Sequence, residues 1–349
     1  MNRIDLVMIV RDEARCLERC LQSARPWVDG MVVVDTGSID ATVEIAGRHG
    51  ARVSRFAWID DFAAARNAAL AASDAAWRLV LDADEWIAEG AESLAALREQ
   101  EPGFVGQVRV ASLFDAAGRV NEAPSWLPRL LPRGVLYSGR IHEQPESTLP
   151  RRRMPLVVGH DGYLDAQKAA KAGRNERLLG LALADRPEDA YLRYQLGKDL
   201  ELRARYAAAE PHYRLALERC DAQAGWRHDL VLRTLFTLKK LGRFEAAMAL
   251  AETEMPRWPG SPDFYFTLGD LVLDWAASRP EHAAALLPVI ESSWLRAIEI
   301  GERPELQDTV RGRGSFLAAH NLAVLHASLG ADAEAARWRE REAAFRTAA

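Results

Sequence analysis

The sequence of 349 residues predicts an α/β fold with a mostly parallel sheet, followed by an all-α domain of helical repeats. Three observations lead to this prediction. In the first half of the chain, short apolar runs alternate with helical patterns. Several of those runs end on acidic or small polar residues, as strands do where an open sheet binds its ligands. In the second half the pattern is helical throughout and recurs at a period of about 34 residues.

Charge, hydropathy and cysteine content exclude several classes of protein. With 45 Lys and Arg against 50 Asp and Glu, the net charge of −5 predicts no nucleic-acid partner. No apolar run approaches the ~18 residues of a membrane span, and the opening run Ile4–Val10 is too short for a signal peptide. Cys16, Cys20 and Cys220 form no zinc pattern and are expected to be reduced thiols. These features predict a cytoplasmic protein.

The first half contains four predicted strands separated by helices. The predicted strands are Ile4–Val10, 31–34, 53–56 and the apolar run that follows Trp77 and ends at Leu81. The predicted helices cover 14–24 and 41–49, and a third opens at the acidic pair 60–61. Strands and helices that alternate in this way form a parallel sheet, so the carboxyl ends of the strands share one edge.

The acids after the fourth strand are the centre of the predicted site. Asp82, Asp84 and Glu85 follow a buried run directly, and Asp82 and Asp84 lie at i and i+2 on one side of the chain. Paired carboxylates suit Mg²⁺ or Mn²⁺, which prefer oxygen ligands and bring substrate phosphates with them. Taken alone, such a pair is better explained as a surface turn. The polar ends of two other strands, at Glu13 and Asp35, favour a site.

Three stretches of the first half occur together in the order and spacing of one known family. They are VVVDTGSIDAT at 32–42, DFAAARN at 61–67 and LDADE at 81–85. Together they resemble family 2 glycosyltransferases, in the branch that carries C-terminal tetratricopeptide repeats and includes bacteriocin S-glycosyltransferases. The resemblance covers about residues 3–165. It implies a GT-A fold, an NDP-sugar donor (most simply a UDP-sugar), a divalent metal ion and hexosyl transfer with inversion.

The resemblance also implies roles for individual residues on the donor side of the site. It implies that the parts of the donor (nucleoside, diphosphate and sugar) and the metal ion are bound by a set of polar residues: Glu13, Asp35, Thr36, Arg66, Asn67, Asp82 and Asp84. Asp84 is the implied metal ligand. The chain departs from the family pattern at Thr36, where many relatives have a second acid. For Arg66 the alternative is a surface salt bridge to Asp60 or Asp61.

The acceptor side is predicted from the strings IHEQ at 141–144 and HDGY at 160–163, which resemble the same branch. The usual acid pair that supplies the general base is absent, so the base is open among several residues. Glu143 is the first choice and His142 lies beside it; Asp115 and Asp161 are the other acids.

Two of these residues have structural alternatives. For Glu143 the alternative is an ion pair with Arg129 or Arg140, and His160 is either a structural histidine or a metal ligand. The run 106–112 alternates in polarity like an edge strand.

The second half is predicted to begin with a helix over 166–184, which divides the chain into domains 1–164 and 165–349. About four tetratricopeptide-like repeats follow, beginning near Ala190, His228, Pro262 and Phe316. Because stacked helix pairs bind proteins or associate with themselves, the predicted partners are a peptide, protein or glycan acceptor and a second copy of the chain.

Three function classes are compatible with these patterns. The leading hypothesis is a glycosyltransferase. The alternative is an interaction scaffold whose repeats carry an inactive transferase domain, but such a domain would be expected to lose Asp82 or Asp84, and both are present. A nucleotidyltransferase typically has a Gly-rich basic loop after its first strand, and this chain has Arg-Asp-Glu-Ala at 11–14.

Overall fold

The computed structural model describes residues 1–116, 119–161, 165–306 and 309–348, which fall into two units, Met1–Asp185 and Arg186–Ala349. The strands of the first unit are β1 (Ile4–Val10), β2 (Gly30–Asp35), β3 (Arg52–Arg55), β4 (Trp77–Val80), β5 (Glu85–Glu89), β6 (Val105–Ala116), β7 (Arg119–Pro132), β8 (Leu136–Ser138), β9 (Gln144–Glu146) and β10 (Arg151–His160). Its helices are α1 (Leu17–Ala24), α2 (Thr42–Arg48), α3 (Phe62–Ala71), α4 (Ser93–Leu97) and α5 (Asp165–Asp185).

Among the described residues, eight strands form one sheet in the order β3-β2-β1-β4-β7-β6-β10-β5, and β8 pairs with β9. The first four strands pair in parallel, as predicted. β7 then runs antiparallel to β4 and β6, and β5 antiparallel to β10. The predicted α/β fold with a parallel sheet and a following helical domain is confirmed.

The first strands are buried on both faces of the sheet. On one face Leu6 and Met8 pack with Leu21 of α1, and on the other Val7 and Val80 pack beside α3. A strand covered on both sides reads as a continuous apolar run, which is why β1, β2 and β4 were visible in the sequence. Their polar residues lie close to the strand ends, and Asp35 is the one at a carboxyl end, where the site lies.

The run at 106–112 is not an edge strand, contrary to the prediction. It belongs to β6, which lies between β7 and β10 inside the sheet. The alternation in its sequence reflects the partly exposed side chains at Gln107 and Arg109. β5 takes the edge position instead, because the chain folds back after the acids that follow β4.

The second unit consists of helices α6 (Ala190–Leu202), α7 (Tyr206–Arg219), α8 (Arg227–Lys240), α9 (Phe244–Glu254), α10 (Pro262–Ser278), α11 (Ala283–Ile300), α12 (Phe316–Ser328) and α13 (Asp332–Ala348). They form four successive pairs within its described residues, each starting close to a predicted repeat start. Small residues allow close packing within the pairs: a Cβ on Gly197 would lie 2.5 Å from the ring of Tyr213, and one on Gly269 2.4 Å from Trp294.

Two further features concern the whole chain. Among the helices described, none has the length and apolar character that crossing a membrane requires. The domain boundary predicted at residue 164 lies outside the described residues, and α5 groups with the first unit.

Candidate active site

The loop after β1 and the turn after β2 are locked together by backbone hydrogen bonds to side chains. Ser38 Oγ accepts from the N–H of Asp12 at 2.9 Å, and Asp12 Oδ1 accepts from the N–H of Ile39 at 2.8 Å. Thr42 Oγ1 accepts from the N–H of Glu13 at 2.7 Å. Asp12 has a positive φ of 54°, which a short polar side chain with local hydrogen bonds tolerates. These bonds fix Glu13 at the carboxyl edge of the sheet.

Asp35 and Thr36 shape the turn after β2. The Asp35 carboxylate is 3% exposed and accepts from the N–H groups of Gly37 at 3.3 Å and Ser38 at 3.0 Å. Thr36 Oγ1 donates to the carbonyl of Val10 at 3.1 Å, which ties the turn to the end of β1. The structure therefore gives both residues a role in the turn, and their contact with a nucleoside stays a prediction.

Arg66 lies on α3, which Asp61 caps by accepting from the N–H of Ala64 at 2.9 Å. The arginine is 7% exposed and donates from Nη2 to Asp82 Oδ1 at 2.6 Å and from Nε to Glu143 Oε1. The alternative surface salt bridge to Asp60 or Asp61 is therefore wrong. Asp60 instead pairs with both Nη atoms of Arg177.

A second arginine joins this cluster from β7. Arg129 Nη2 donates to Asp82 Oδ2 at 2.8 Å and to Glu85 Oε1, while Glu85 Oε2 accepts from the N–H of Asp82 at 2.8 Å. The predicted alternative of an ion pair between Glu143 and Arg129 or Arg140 is wrong, because Glu143 accepts from Arg66. Asp82 thus belongs to a cluster with four other charged side chains, all of them largely buried (Arg66, Glu85, Arg129, Glu143).

The two acids that Arg129 contacts have pKa values shifted in opposite directions. Burial opposes the charged form of Asp82, but the charges of Arg66 and Arg129 outweigh it and hold its pKa far below the ordinary range. Burial raises the pKa of Glu85, with a further contribution from the nearby charge of Asp82, against the opposing charge of Arg129. Asp82 is therefore a fixed negative charge at the end of β4.

Asp84 and His160 form the candidate metal pair. Asp84 Oδ2 lies 3.5 Å from His160 Nε2, and the other ring nitrogen, Nδ1, lies 3.0 Å from Ser112 Oγ. Burial lowers the pKa of His160, but the hydrogen bond and charge of Asp84 outweigh it, so the pKa lies above its ordinary value. The strand register brings the two together, because β10 pairs His160 with Glu85, the residue after Asp84.

This pair fits a divalent cation of the predicted kind. The described residues contain no group of three or more His, Cys, Asp or Glu side chains that could hold a metal ion. A site with one or two protein ligands is normal for Mg²⁺ and its relatives when phosphate and water oxygens supply the rest. Ligands on neighbouring octahedral positions lie about 3 Å apart for metal–ligand distances near 2.1 Å, so the pair needs little movement.

The predicted acceptor-side residues lie on the loop between β8 and β9. His142 has a positive φ of 51°, and the Glu143 side chain is 10% exposed. Asn67 binds the backbone of Tyr137 in β8: its Nδ2 donates to the carbonyl at 2.9 Å and its Oδ1 accepts from the N–H at 2.8 Å. Asn67 thus joins α3 to β8, and burial raises the pKa of Tyr137, beneath Arg66, to about 12.

The other acids weighed as general base have different surroundings. Asp161 is 7% exposed and is bound by Arg15 and Arg19. Asp115 lies in β6, but its side chain is outside the described part of the structure. The residues Gly118, Gly162 and Tyr163 also lie outside it. The structure thus brings together Arg66, Asp82 and Glu143 in one contact group and Asp84 and His160 in another.

Comparisons with known proteins identify a family for this chain. The model of the family described as glycosyl transferase family 2 matches residues 5–145. A TPR repeat-containing protein of Synechococcus elongatus is 33% identical over 313 residues, covering 82% of this chain and 76% of that protein. The SPbeta prophage-derived glycosyltransferase SunS of Bacillus subtilis is 24% identical over 265 residues, covering 72% of this chain and 63% of SunS.

Among solved structures, glucosyl-3-phosphoglycerate synthase from Mycobacterium tuberculosis in complex with Mn²⁺, UDP and glucosyl-3-phosphoglycerate is 22% identical. The alignment covers 32% of this chain and 44% of the synthase chain, with a TM-score of 0.27. The relative from Synechococcus and the family model together show the family of the chain. The chain belongs to glycosyl transferase family 2, in the branch whose transferase domain is followed by tetratricopeptide-like helical repeats.

Proposed function

We propose that this glycosyltransferase transfers a hexosyl group from a nucleotide sugar, a UDP-sugar in the first instance, to a peptide, protein or glycan acceptor. The proposed reaction requires Mg²⁺ or Mn²⁺ and inverts the anomeric carbon. The observation that carries the proposal is the placement of Asp84 Oδ2 3.5 Å from His160 Nε2 at the end of the predicted donor strand.

Donor binding is assigned to the edge formed by the first four strands. Glu13, Asp35 and Thr36 would contact the nucleoside, and Asp84 with His160 would hold the metal ion. When bound, the ion would neutralise charge on the departing diphosphate. Asp82, kept ionised by its two arginines, would face the ribose or the sugar.

Glu143 is the proposed general base, with His142 beside it. An inverting transfer needs a base within hydrogen-bond reach of the acceptor nucleophile, on the side opposite the diphosphate. In the donor-free arrangement the Glu143 carboxylate accepts from Arg66. Because Arg66 occupies Glu143 Oε1 in this arrangement, Arg66 would have to turn toward the diphosphate to leave that oxygen free for the acceptor. Donor binding would then precede deprotonation of the acceptor.

Acceptor recognition is assigned to the helical pairs of the second unit. Arrays of this kind present an extended concave face, which suits a peptide or protein acceptor and also self-association as a homodimer.

Cys16 and Cys20 are buried free thiols, and Cys220 is free as well, which supports the proposed location in the reducing cytoplasm.

The test of the metal site is Asp84→Asn, assayed by calorimetric binding of UDP with and without Mn²⁺. We expect loss of the Mn²⁺-dependent part of UDP binding and of UDP-sugar hydrolysis, with an unchanged fold. Asp74→Asn is the matched control, since Asp74 is 69% exposed and pairs only peripherally with Arg3. Unchanged Mn²⁺-dependent UDP binding in Asp84→Asn would refute the assignment.

A further inference from the structure

We propose that Asp161 is a positioning residue for the metal pair: held by Arg19 of α1 and by Arg15, which precedes that helix, it keeps His160 opposite Asp84. The proposal rests on the proposed function, because it takes Asp84 and His160 as the ligands of a divalent cation. It gives Asp161 a role other than the general-base role considered for it from the sequence.

Both oxygens of the Asp161 carboxylate are occupied by arginine donors. Arg15 binds it with two parallel bonds, Nη2 to Oδ1 at 3.1 Å and Nη1 to Oδ2 at 3.2 Å. Arg19 adds a third bond from Nη2 to Oδ2 at 2.6 Å. Bidentate charge-assisted bonds are strong and fix orientation as well as distance. A carboxylate held in this way is poorly suited to accept a proton from an acceptor, but well suited to anchor the end of a strand.

Asp161 is connected to both members of the metal pair. It follows His160 directly at the end of β10, and its own N–H donates to the carbonyl oxygen of Asp84 at 3.3 Å. Any rotation of the chain at Asp161 would therefore move the His160 ring and break the hydrogen bond to Asp84. Fixing the carboxylate fixes the separation of the two ligands.

Arg19 also holds the neighbouring strand. Its guanidinium lies 3.8 Å from the centroid of the Trp86 ring, on β5. The Trp86 ring in turn packs on Gly159, where an added Cβ would lie 2.3 Å from the ring. Arg19 thus contacts Trp86 on β5, two residues after Asp84, and also Asp161, directly after His160. The two arginines and Asp161 thus act as one clamp across β5 and β10.

The test compares Asp161→Asn with the unaltered protein in binding Mn²⁺ with UDP. Loss of a residue that orients a metal ligand commonly weakens metal binding about 10–100-fold, and we expect a loss in that range. Electron spin-echo spectroscopy of the bound Mn²⁺ should also lose the ¹⁴N coupling of a coordinated imidazole, and His160→Ala is expected to lose the same coupling. The asparagine keeps the size of the side chain but cannot bind two guanidinium groups through both terminal atoms.

Controls separate this proposal from the proposed function. Asp60→Asn removes another carboxylate with a bidentate arginine, Arg177, and should leave Mn²⁺ binding unchanged. Asp84→Asn must weaken Mn²⁺ binding; if it does not, the proposed metal site fails. If Asp84→Asn weakens binding but Asp161→Asn retains the ¹⁴N coupling at saturating Mn²⁺, the positioning role alone is overturned. A large fall in turnover with normal Mn²⁺ affinity would also overturn it and make Asp161 the base.

Since Asp161 is buried, the variant Arg15→Gln with Arg19→Gln provides a second route. Both arginine side chains are more than two-fifths exposed, at 49% and 43%. Their replacement leaves the Asp161 carboxylate without a cation, so circular dichroism has to show that the double variant is folded. The same loss of Mn²⁺ affinity and of ¹⁴N coupling is expected. Retention of both in this double variant overturns the clamp, whatever the folding behaviour of Asp161→Asn.

Discussion

Replacing Arg129 with Met should destabilise the first unit strongly, because it leaves Glu85 as a buried charge without its cation. Arg129 Nη2 contacts both Asp82 and Glu85, and Glu85 is 2% exposed. Breaking a buried ion pair from one side costs about 3–5 kcal/mol. Asp82 keeps its contact with Arg66 and its side chain is 35% exposed, so the lost contact between Arg129 and Asp82 costs little free energy. We therefore expect the free energy of unfolding to fall by about 3 kcal/mol, the lower end of this range.

The physical reason is tested by a double-mutant cycle with Glu85→Gln. The double variant carries no uncompensated charge, so it should be more stable than Arg129→Met alone, with a coupling energy of roughly 1–3 kcal/mol. Hydrogen exchange of peptides from β4 and β7 in urea measures this unit specifically, which matters because a chain with two units need not unfold in one step. Additivity of the two single effects within about 0.5 kcal/mol would refute the reasoning.

Three further predictions concern turnover, packing and pH. Glu143→Gln should lower kcat roughly 10²–10⁴-fold with nearly unchanged donor affinity; normal turnover would move the base elsewhere. Gly197→Ala should lower stability, because overpacking against Tyr213 costs about 1–3 kcal/mol and the helix gains only about 1, whereas the exposed Gly180→Ala should raise the melting temperature. Burial lowers the pKa of His228 below 6.5, so the fold disfavours its charged form. Stability of the second unit should then fall as the pH drops below about 6.5, and a melt of His228→Gln with the same pH dependence would contradict this.

The parallel half of the sheet could be predicted because burial on both faces leaves a direct trace in the sequence. The apolar runs of β1, β2 and β4 and their polar ends are local patterns. The four helix pairs were predictable for the same reason, since their small residues recur at a fixed period. The resemblance implies a metal role for Asp84 and leaves His160 as either a structural histidine or a metal ligand, and the β5–β10 register places the two side chains 3.5 Å apart.

The pairing inside the charged cluster could not be predicted in the same way. Arg66 had two acidic candidates, Asp60 and Asp61, and Glu143 had two arginine candidates, yet none of these four is the observed partner. Salt-bridge partners far apart in sequence depend on strand order, and the order of β7, β6, β10 and β5 is set by tertiary packing. For the same reason β6 was placed at an edge that β5 occupies.

The position of β5 beside β10 has a consequence for the assembly of the protein during synthesis. β5 follows β4 in the chain, yet its partner strand is the last of the sheet to emerge from the ribosome. Contacts between segments so distant in sequence form late and slow the folding of a domain. The nascent chain therefore passes through a stage in which β1, β2, β3 and β4 have been synthesised while His160 has not. Under the proposed function, Asp84 would then lack the second proposed ligand of the cation, which arrives only with β10.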